Sequence, residues 1–458
     1  MTVYNSIIEM IGNTPMLALR TFDTGPCRLL LKLENQNPGG SIKDRIGLSM
    51  IEAAERDGQI KPGGTVIEAT AGNTGLGLAL VAAQKGYKML VIVPDKMSQE
   101  KIFHLRALGA EVMMTRSDVT KGHPDYYQDV AERLSGEMDN SLWVNQFANP
   151  ANPEAHETGT GPEIWAQTEG RIDAMVCGVG SGGTITGLAR FFRQVKPSVE
   201  MILADPEGSI LAGMVNDGVA GDLGSWLVEG IGEDFVPPNC DIDLISKAYA
   251  IPDHESLAAA GELLAREGVL GGSSAGTLLA AALRYCREQT EPKTVVTLIP
   301  DSGNKYLSKM YNSHWMADQG FTDRPQHGDL RDLISRPFDD RAVVAAAPDD
   351  TLMGAYGRMR MADVSQLPVL DGDRILGIID ESDLLLALYQ NPKRFGDPVS
   401  GHMIDRLEML APGEAMESLL PILRADRVAI IVDDGHFLGL ITKVDLLNHL
   451  RRNAVVAS

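Results

Sequence analysis

Strand-like and helix-like stretches take turns along the first 320 residues, and this alternation limits the fold more than any other feature of the chain. Short apolar runs at 66–67, 89–93, 174–179, 201–204 and 295–299 read as buried strands. Between them, 76–85, 100–108 and 185–195 carry apolar residues at helical spacing. Strand then helix, repeated, implies an α/β fold with a parallel sheet covered by helices on both faces. Glycine-rich turns follow several of the runs, where such sheets bind ligands.

The chain has 458 residues, more than one core accommodates, and at roughly 150 residues per domain about three units are expected. Hydrophobic residues make up 44% and charged residues 22%, a globular rather than a disordered balance. The net charge is −21 and no block of lysine and arginine offsets it, so nucleic acid and anionic membranes are not expected as partners. Any anionic ligand must be held locally, by backbone amides or a few placed side chains. Cys27, Cys177, Cys240 and Cys286 lie far apart and form no CxxC pair, which leaves zinc, dithiol and disulfide chemistry unsupported. The opening MTVYNSIIEMIGNTP does not read as a signal peptide, and no run of ~18 apolar residues suggests a membrane span. A reduced, cytoplasmic compartment is expected.

Beyond the polar stretch FTDRPQHGDLR (321–331), which reads as a linker, the chain repeats itself. Residues 367–385, LPVLDGDRILGIIDESDLL, match 429–447, AIIVDDGHFLGLITKVDLL. Gly377 corresponds to Gly439 and Asp383 to Asp445, at a constant offset of 62 residues. Each copy reads as two strands, a glycine turn and a helix. One copy cannot bury its own apolar face, so the two are expected to pack together. The expected boundaries are 1–320 for the first domain, 321–332 for the linker, and 333–392 and 393–455 for the repeats.

Four motifs carry chemistry. In Gly39-Gly40-Ser41-Ile42-Lys43-Asp44-Arg45 a glycine turn feeds a helix with Lys43 in its first turn. There the positive end of the helix dipole disfavours an ammonium, which suits a lysine that must act as a nucleophile. Taken alone, the commoner reading is a surface lysine paired with Asp44. Thr70-Ala71-Gly72-Asn73-Thr74-Gly75 offers free amides, two hydroxyls and an Asn at a helix start, a seat for a carboxylate. A plain N-cap turn uses the same residues. Gly178-Val179-Gly180-Ser181-Gly182-Gly183-Thr184 lets backbone amides close around a phosphate. It also matches GxGxxG, with Asp205 at the end of the next run, so a dinucleotide-binding dehydrogenase stays open at this point. Gly271-Gly272-Ser273-Ser274-Ala275-Gly276-Thr277 enters a further helix, and alone it reads as an N-cap with small residues for close packing.

Together the motifs resemble the β-family (fold-type II) pyridoxal-phosphate enzymes, and within them the cystathionine β-synthases. KLENQNPGGSIKDR, EATAGNTG, NQFANPANPEAH, GVGSGGTITG, LADPEGS, VEGIGEDF, GGSSAG and IPDSGNKY stand in the family order, from Ile11-Gly12-Asn13-Thr14-Pro15 to about Gly320. The dehydrogenase reading does not explain the lysine, the Asn loop or the Ser-Ser loop. The resemblance implies two open parallel-sheet subdomains. It implies Lys43 as the Schiff-base lysine that anchors pyridoxal 5'-phosphate and then serves as base and acid. It further implies Asn73 as partner of the ring 3-oxygen, Gly180, Ser181, Gly182, Gly183 and Thr184 as the phosphate cradle, and Ser274 facing the pyridine nitrogen. Thr70, Ala71, Gly72, Thr74 and Gln146 would contact the substrate carboxylate, and Gly230 and Gly232 would form a thin wall beside the ring.

The repeats resemble a cystathionine-β-synthase-type (Bateman) pair. Thr442 and Asp445 fit its Gly-x-x-Thr-x-x-Asp pattern, in which the Asp holds ribose hydroxyls. The first copy departs, with Asp380 where the second has Thr442, and a carboxylate there repels phosphates. The implied effector is S-adenosylmethionine rather than ATP. The expected activity is replacement of the L-serine hydroxyl by L-homocysteine to give L-cystathionine and water, with hydrogen sulfide release from cysteine as a side activity, in a homodimer or higher homo-oligomer. The Gly-Asn-Thr-Pro motif begins at Gly12, so no haem is expected, and no metal. The EGIG loop, followed by an aromatic residue in the animal enzymes, is followed here by Glu233. A cysteine synthase acting on O-acetylserine and sulfide is the nearest alternative. A nucleotide-binding regulator with an inactive catalytic half is another, and the intact Lys43 and Asn73 argue against it.

Overall fold

Every apolar run picked out above overlaps a strand in the computed structural model, 178–179 and 299 running past the strand ends; the structure describes residues 3–70, 72–95, 99–322 and 325–456. The chain divides into two compact units, Met1–Tyr311 and Asn312–Ser458. The first unit holds β1 (Met16–Ala18), β2 (Arg28–Lys32), β3 (Thr65–Ala69), β4 (Lys88–Pro94), β5 (Glu111–Thr115), β6 (Ser141–Trp143), β7 (Ala174–Cys177), β8 (Glu200–Pro206), β9 (Lys247–Ile251) and β10 (Thr294–Leu298). They form two sheets, ordered β1-β2-β10-β7-β8-β9 and β5-β4-β3-β6. All neighbours run parallel except β1 and β2. The chain leaves the larger sheet after β2, builds the smaller one, and returns at β7. The phosphate-type glycine loop and the Asn loop thus both follow the carboxyl ends of parallel strands, one in each sheet.

Helices begin earlier than their apolar spacing suggests. The helix expected from residue 76 spans Asn73–Lys85, and the one expected from 185 spans Gly183–Val195. Their first turns are Asn, Thr and Gly, which carry no apolar stripe. The helix Lys43–Arg56 packs on Asn73–Lys85 by backbone contact. A Cβ on Gly77 would lie 2.6 Å from the Lys43 carbonyl oxygen, and one on Gly47 would lie 2.7 Å from the Gly77 carbonyl carbon. Two glycines therefore let the Lys43 helix and the Asn loop approach each other.

A buried ionic network fixes the same helix from the other side. Arg45 Nε donates to Glu34 Oε2 at 2.7 Å and its Nη1 to Glu163 Oε1 at 2.7 Å, while Lys32 Nζ donates to Glu163 Oε2 at 2.7 Å. Burial alone would raise the Glu163 carboxyl, yet Arg45 and Lys32 hold it down at about 2. Removing one partner of such a network strands a buried charge, at a cost of about 3–5 kcal/mol.

In the second unit the two repeats are folded copies. The first runs through the helix Leu352–Ala362, β11 (Gln366–Asp371), β12 (Arg374–Asp380) and the helix Glu381–Gln390. The second runs through β13 (Met409–Leu410), the helix Leu419–Arg424, β14 (Ala429–Asp433), β15 (His436–Ile441) and the helix Lys443–Val456. The strand register shifts between Val369 and Leu370 in one copy and between Ile431 and Val432 in the other, the equivalent places. Leu370 and Ile375 bury against Ile430 and Phe437, so the copies pack together as expected. Leu330, inside the stretch read as a linker, is buried with Leu333 and Ile334 against Leu419 and Ile422 of the second copy.

Candidate active site

Lys43, Thr70, Gly72, Asn73, Thr74 and Gln146 share one cavity of about 290 Å³ with Gly180, Ser181, Gly182, Thr184, Gly230 and Ser274. That volume is close to the lower end of small-molecule sites, ~300 Å³. Gly232 lies on the same wall. Gly183 stands just behind it, and Ala71 lies outside the described residues. Residues up to 231 positions apart in sequence, Lys43 and Ser274, thus meet at one place.

Lys43 is the one cationic side chain on the wall among the described residues. It opens its helix, as expected. Burial pulls its ammonium down to about 8, against the opposing fields of Asp301 and Glu233. The helix terminus invoked from the sequence is thus not the main cause.

Opposite it, the loop after β7 runs into the helix Gly183–Val195, whose first amides face the cavity end. Gly182, with φ of 83°, makes the turn. A Cβ on Gly183 would lie 1.9 Å from Asn152 Oδ1, and one on Gly180 would lie 2.5 Å from the Gly230 carbonyl oxygen. Asn152 Nδ2 donates to Ser181 Oγ at 2.9 Å and to the Gln146 carbonyl at 2.7 Å, which ties the glycine loop to the substrate side. Thr184 Oγ1 lies 3.2 Å from Nε2 of His156, and burial holds that imidazole neutral, well below its ordinary pKa. The loop therefore offers amides and hydroxyls, with no cation inside it.

Asn73 is held from two sides. Its Nδ2 donates to Asp301 Oδ2 at 2.8 Å, and Lys305 Nζ donates to its Oδ1 at 2.6 Å. Tyr306 Oη also donates to Asp301 Oδ2, at 2.8 Å. A cation on the carbonyl side polarises the amide and strengthens its N–H groups as donors. Thr74 Oγ1 donates to Gln146 Oε1 at 2.6 Å, joining the two loops expected to seat a carboxylate. Ser274 reaches the cavity from the first turn of the helix Ser273–Arg287. Asn152, His156, Asp301 and Lys305 were not singled out from the sequence, because their roles depend on contacts across loops and sheets.

Asp205, the residue that kept the dinucleotide reading open, is fully buried, and its Oδ2 accepts from the Ala212 amide at 2.8 Å. It caps a neighbouring segment and presents no carboxylate to a ribose. The remaining set fits pyridoxal phosphate: a half-buried amine, a glycine cradle with no room for a Cβ, an anchored amide and a helix-start hydroxyl. In the second unit, Thr442 and Asp445 stand at the start of Lys443–Val456. Asp445 Oδ2 accepts from Thr442 N and Oγ1, both at 2.6 Å, and Oδ1 accepts from Ser335. Asp380 and Asp383 cap the equivalent helix reciprocally, at 2.8 and 3.0 Å.

Two parallel-sheet subdomains with a lysine and an amide-lined anion seat on one cavity define a pyridoxal-phosphate enzyme of fold-type II. The family described as "Pyridoxal-phosphate dependent enzyme" matches residues 7–301, and "CBS domain" matches 330–390 and 399–452. The cystathionine beta-synthase of Apis mellifera is 36% identical over 98% of this chain and 91% of that protein. Cysteine synthase 1 of Emericella nidulans is 39% identical over 70% of this chain and 89% of its own. The crystal structure of a hydrogen sulfide-producing enzyme from Fusobacterium nucleatum matches with a TM-score of 0.61 at 35% identity, covering 66% of this chain and 98% of that one. The chain belongs to the pyridoxal-phosphate-dependent enzymes, in the cystathionine β-synthase family, and carries two CBS domains. It is a pyridoxal-phosphate-dependent lyase. No helix among the described residues is long and apolar enough to cross a membrane.

Proposed function

We propose that the chain replaces the hydroxyl of L-serine with L-homocysteine, giving L-cystathionine and water, and releases hydrogen sulfide when cysteine takes the place of serine. The observation that carries this reading is Lys43, a half-buried amine that desolvation pulls down to about 8, on one cavity with a glycine loop that holds no cation. When bound, pyridoxal phosphate supplies the electron sink that loosens the α-proton and the β-substituent of an amino acid. Gly180, Ser181, Gly182, Gly183 and Thr184 would hold its phosphate, Asn73 its 3-oxygen and Ser274 its ring nitrogen. Gly230 and Gly232 would leave room beside the ring, and Lys43 would anchor it. Thr70, Ala71, Gly72, Thr74 and Gln146 seat the substrate carboxylate on amides and hydroxyls. Once the substrate's amine displaces it from the cofactor, Lys43 Nζ, its basicity lowered by burial, takes the α-proton and delivers a proton to the departing oxygen, so that water leaves.

Similarity to the bee protein over the whole chain, CBS domains included, favours serine and homocysteine over the cysteine synthase pairing. Product analysis with serine and O-acetylserine, each with homocysteine and with sulfide, tests this. Cystathionine from serine should dominate; cysteine from O-acetylserine as the main product would replace the reading with that of a cysteine synthase.

Ser274 presents a neutral hydroxyl where an aspartate would hold a proton on the ring nitrogen. Ser274→Asp is expected to lower kcat for β-replacement at least ~10-fold at unchanged cofactor content, on the scale of one lost transition-state interaction. An unchanged kcat would remove the hydroxyl from the account.

For the second unit we propose an adenosyl effector without phosphates, such as S-adenosylmethionine, bound in the second repeat with Asp445 on its ribose. The support is asymmetry: Thr442 and Asp445 in one copy, two carboxylates in the other. Titration calorimetry should show S-adenosylmethionine binding at one site per chain, tighter than ATP, and weakened at least ~10-fold by Asp445→Ala. Equal binding by the variant, or tighter ATP, would refute the assignment. Turnover must be followed alongside, since a ligand changes activity only by favouring one arrangement over another. Leu385, Leu386 and Tyr389 on one exposed helix face, and Val444, Leu447 and Leu450 on another, support a homodimer or higher homo-oligomer. The four free, buried cysteines support a reduced, cytoplasmic setting.

A further inference from the structure

Two carboxylates, Glu229 and Glu233, stand on the cavity wall. Glu229 is already paired, with Lys101 and, at 2.6 Å, with Lys309. Glu233 is not. Its backbone is fixed: its N–H donates to Ser209 Oγ at 3.1 Å, and its carbonyl accepts from Ser209 Oγ and the Ile210 amide, each at 3.1 Å. The Gly232 before it holds φ at 89°. Among the described residues, no hydrogen bond or ion pair reaches its carboxylate.

The charges around Glu233 are of one sign except for Lys43. Asp234 adjoins it in sequence, and the fields of Asp234 and Asp205 both push its carboxyl up. With Lys43 occupied as the cofactor's anchor, no cationic side chain among the described residues remains on the wall to match it. A rigidly held, unpaired carboxylate in a cavity is a place for a ligand's cation.

We infer that Glu233 determines the second substrate: its carboxylate pairs with the α-ammonium of an incoming amino-acid thiol. This rests on the reading that the cavity performs β-replacement with a thiol. A zwitterionic thiol brings the cation that Glu233 lacks, whereas hydrosulfide brings none and gains nothing from it. A thiol of the same length without an amine gains nothing from it. Burial first, and Asp234 next, push the empty carboxyl up to about 8 against Lys43, the state of an acid lacking a cation partner. An arriving ammonium supplies that partner, and the carboxyl ionises by releasing its proton to solvent.

The test is steady-state kinetics of the holoenzyme and Glu233→Gln at saturating L-serine, with three nucleophiles. These are L-homocysteine, 4-mercaptobutanoate, which is homocysteine without its amine, and sulfide. Glu233→Gln should lower kcat/KM for homocysteine by about 10–100-fold, mainly through KM, as expected for loss of a charge-assisted hydrogen bond. It should leave 4-mercaptobutanoate and sulfide within about threefold, a scale below one hydrogen bond. Those two nucleophiles also report whether the variant is folded and loaded. An equal loss on homocysteine and 4-mercaptobutanoate would overturn the inference, since the carboxylate would then act on the thiol or the fold. No loss on homocysteine would overturn it too. A parent enzyme that uses sulfide but makes no thioether from homocysteine would overturn the functional reading itself, and this inference with it.

Discussion

Lys43→Ala is expected to abolish turnover, by at least ~10³-fold, while the protein folds and melts as before. The size follows from two functions lost together, a covalent anchor and a proton carrier, the second alone being worth ~10²–10⁴-fold. Among the described residues, no other cationic side chain on the cavity wall can substitute. The fold should tolerate the change because no ion pair depends on Lys43 among the described residues. Linkage points the same way. The amine sits at about 8 in the folded chain and near 10.5 as a free side chain, so between those values the unfolded chain binds more protons. Stability therefore rises with pH across that window, and below pH 8 the buried amine disfavours folding. Without cofactor, the alanine variant should melt no lower than the parent at pH 7. Residual activity above one part in ~10³, with the cofactor's visible absorbance retained, would assign the anchor to another lysine.

Gly183→Ala is expected to weaken cofactor binding at least ~100-fold, because its cost has no cheap outlet. The new Cβ would meet Asn152 Oδ1 at 1.9 Å, an overlap that something must relieve. Asn152 cannot step aside freely. It is 1% exposed, and its Nδ2 holds both Ser181 Oγ and the Gln146 carbonyl. Moving the side chain strands buried polar groups and displaces the glycine loop from the substrate side; moving the helix start draws its amides away from the phosphate seat. Equilibrium titration of the stripped protein with pyridoxal phosphate measures the effect. Gly261→Ala, at a helical glycine whose Cβ would meet nothing within 4 Å, is the matched control and should bind like the parent. Equal affinity of Gly183→Ala and parent would remove the loop from the phosphate site.

The strands that could be read directly are those buried on both faces, such as β4, β7 and β8, whose sequences are nearly unbroken apolar runs. Strand β5, half exposed at a sheet edge with the sequence EVMMT, and β6, three residues long, carry no such signal. Apolar spacing alone placed the helices of Asn73 and Gly183 late, because their capping turns lack the apolar stripe, and only the glycine-rich motifs marked those starts. In the site, residues belonging to contiguous motifs were legible. The contacts that make them work were not, since Asn73 and Asp301 are 228 residues apart and Thr184 and His156 are 28 apart. The lowered basicity of Lys43 was foreseen in direction, but from the helix dipole, whereas burial dominates, and burial is a property of the assembled sheets. Glu233 was visible as a departure after EGIG; its lack of a partner shows only in three dimensions.

The most direct measurement is to reduce the holoenzyme with borohydride, which fixes pyridoxal phosphate to the amine that holds it, and to map the modified peptide by mass spectrometry. The pyridoxyl group should be found on Lys43 and be absent from the Lys43→Ala variant treated identically. A modification on Lys101, Lys305 or any other lysine, with Lys43 unmodified, would contradict the account at its centre.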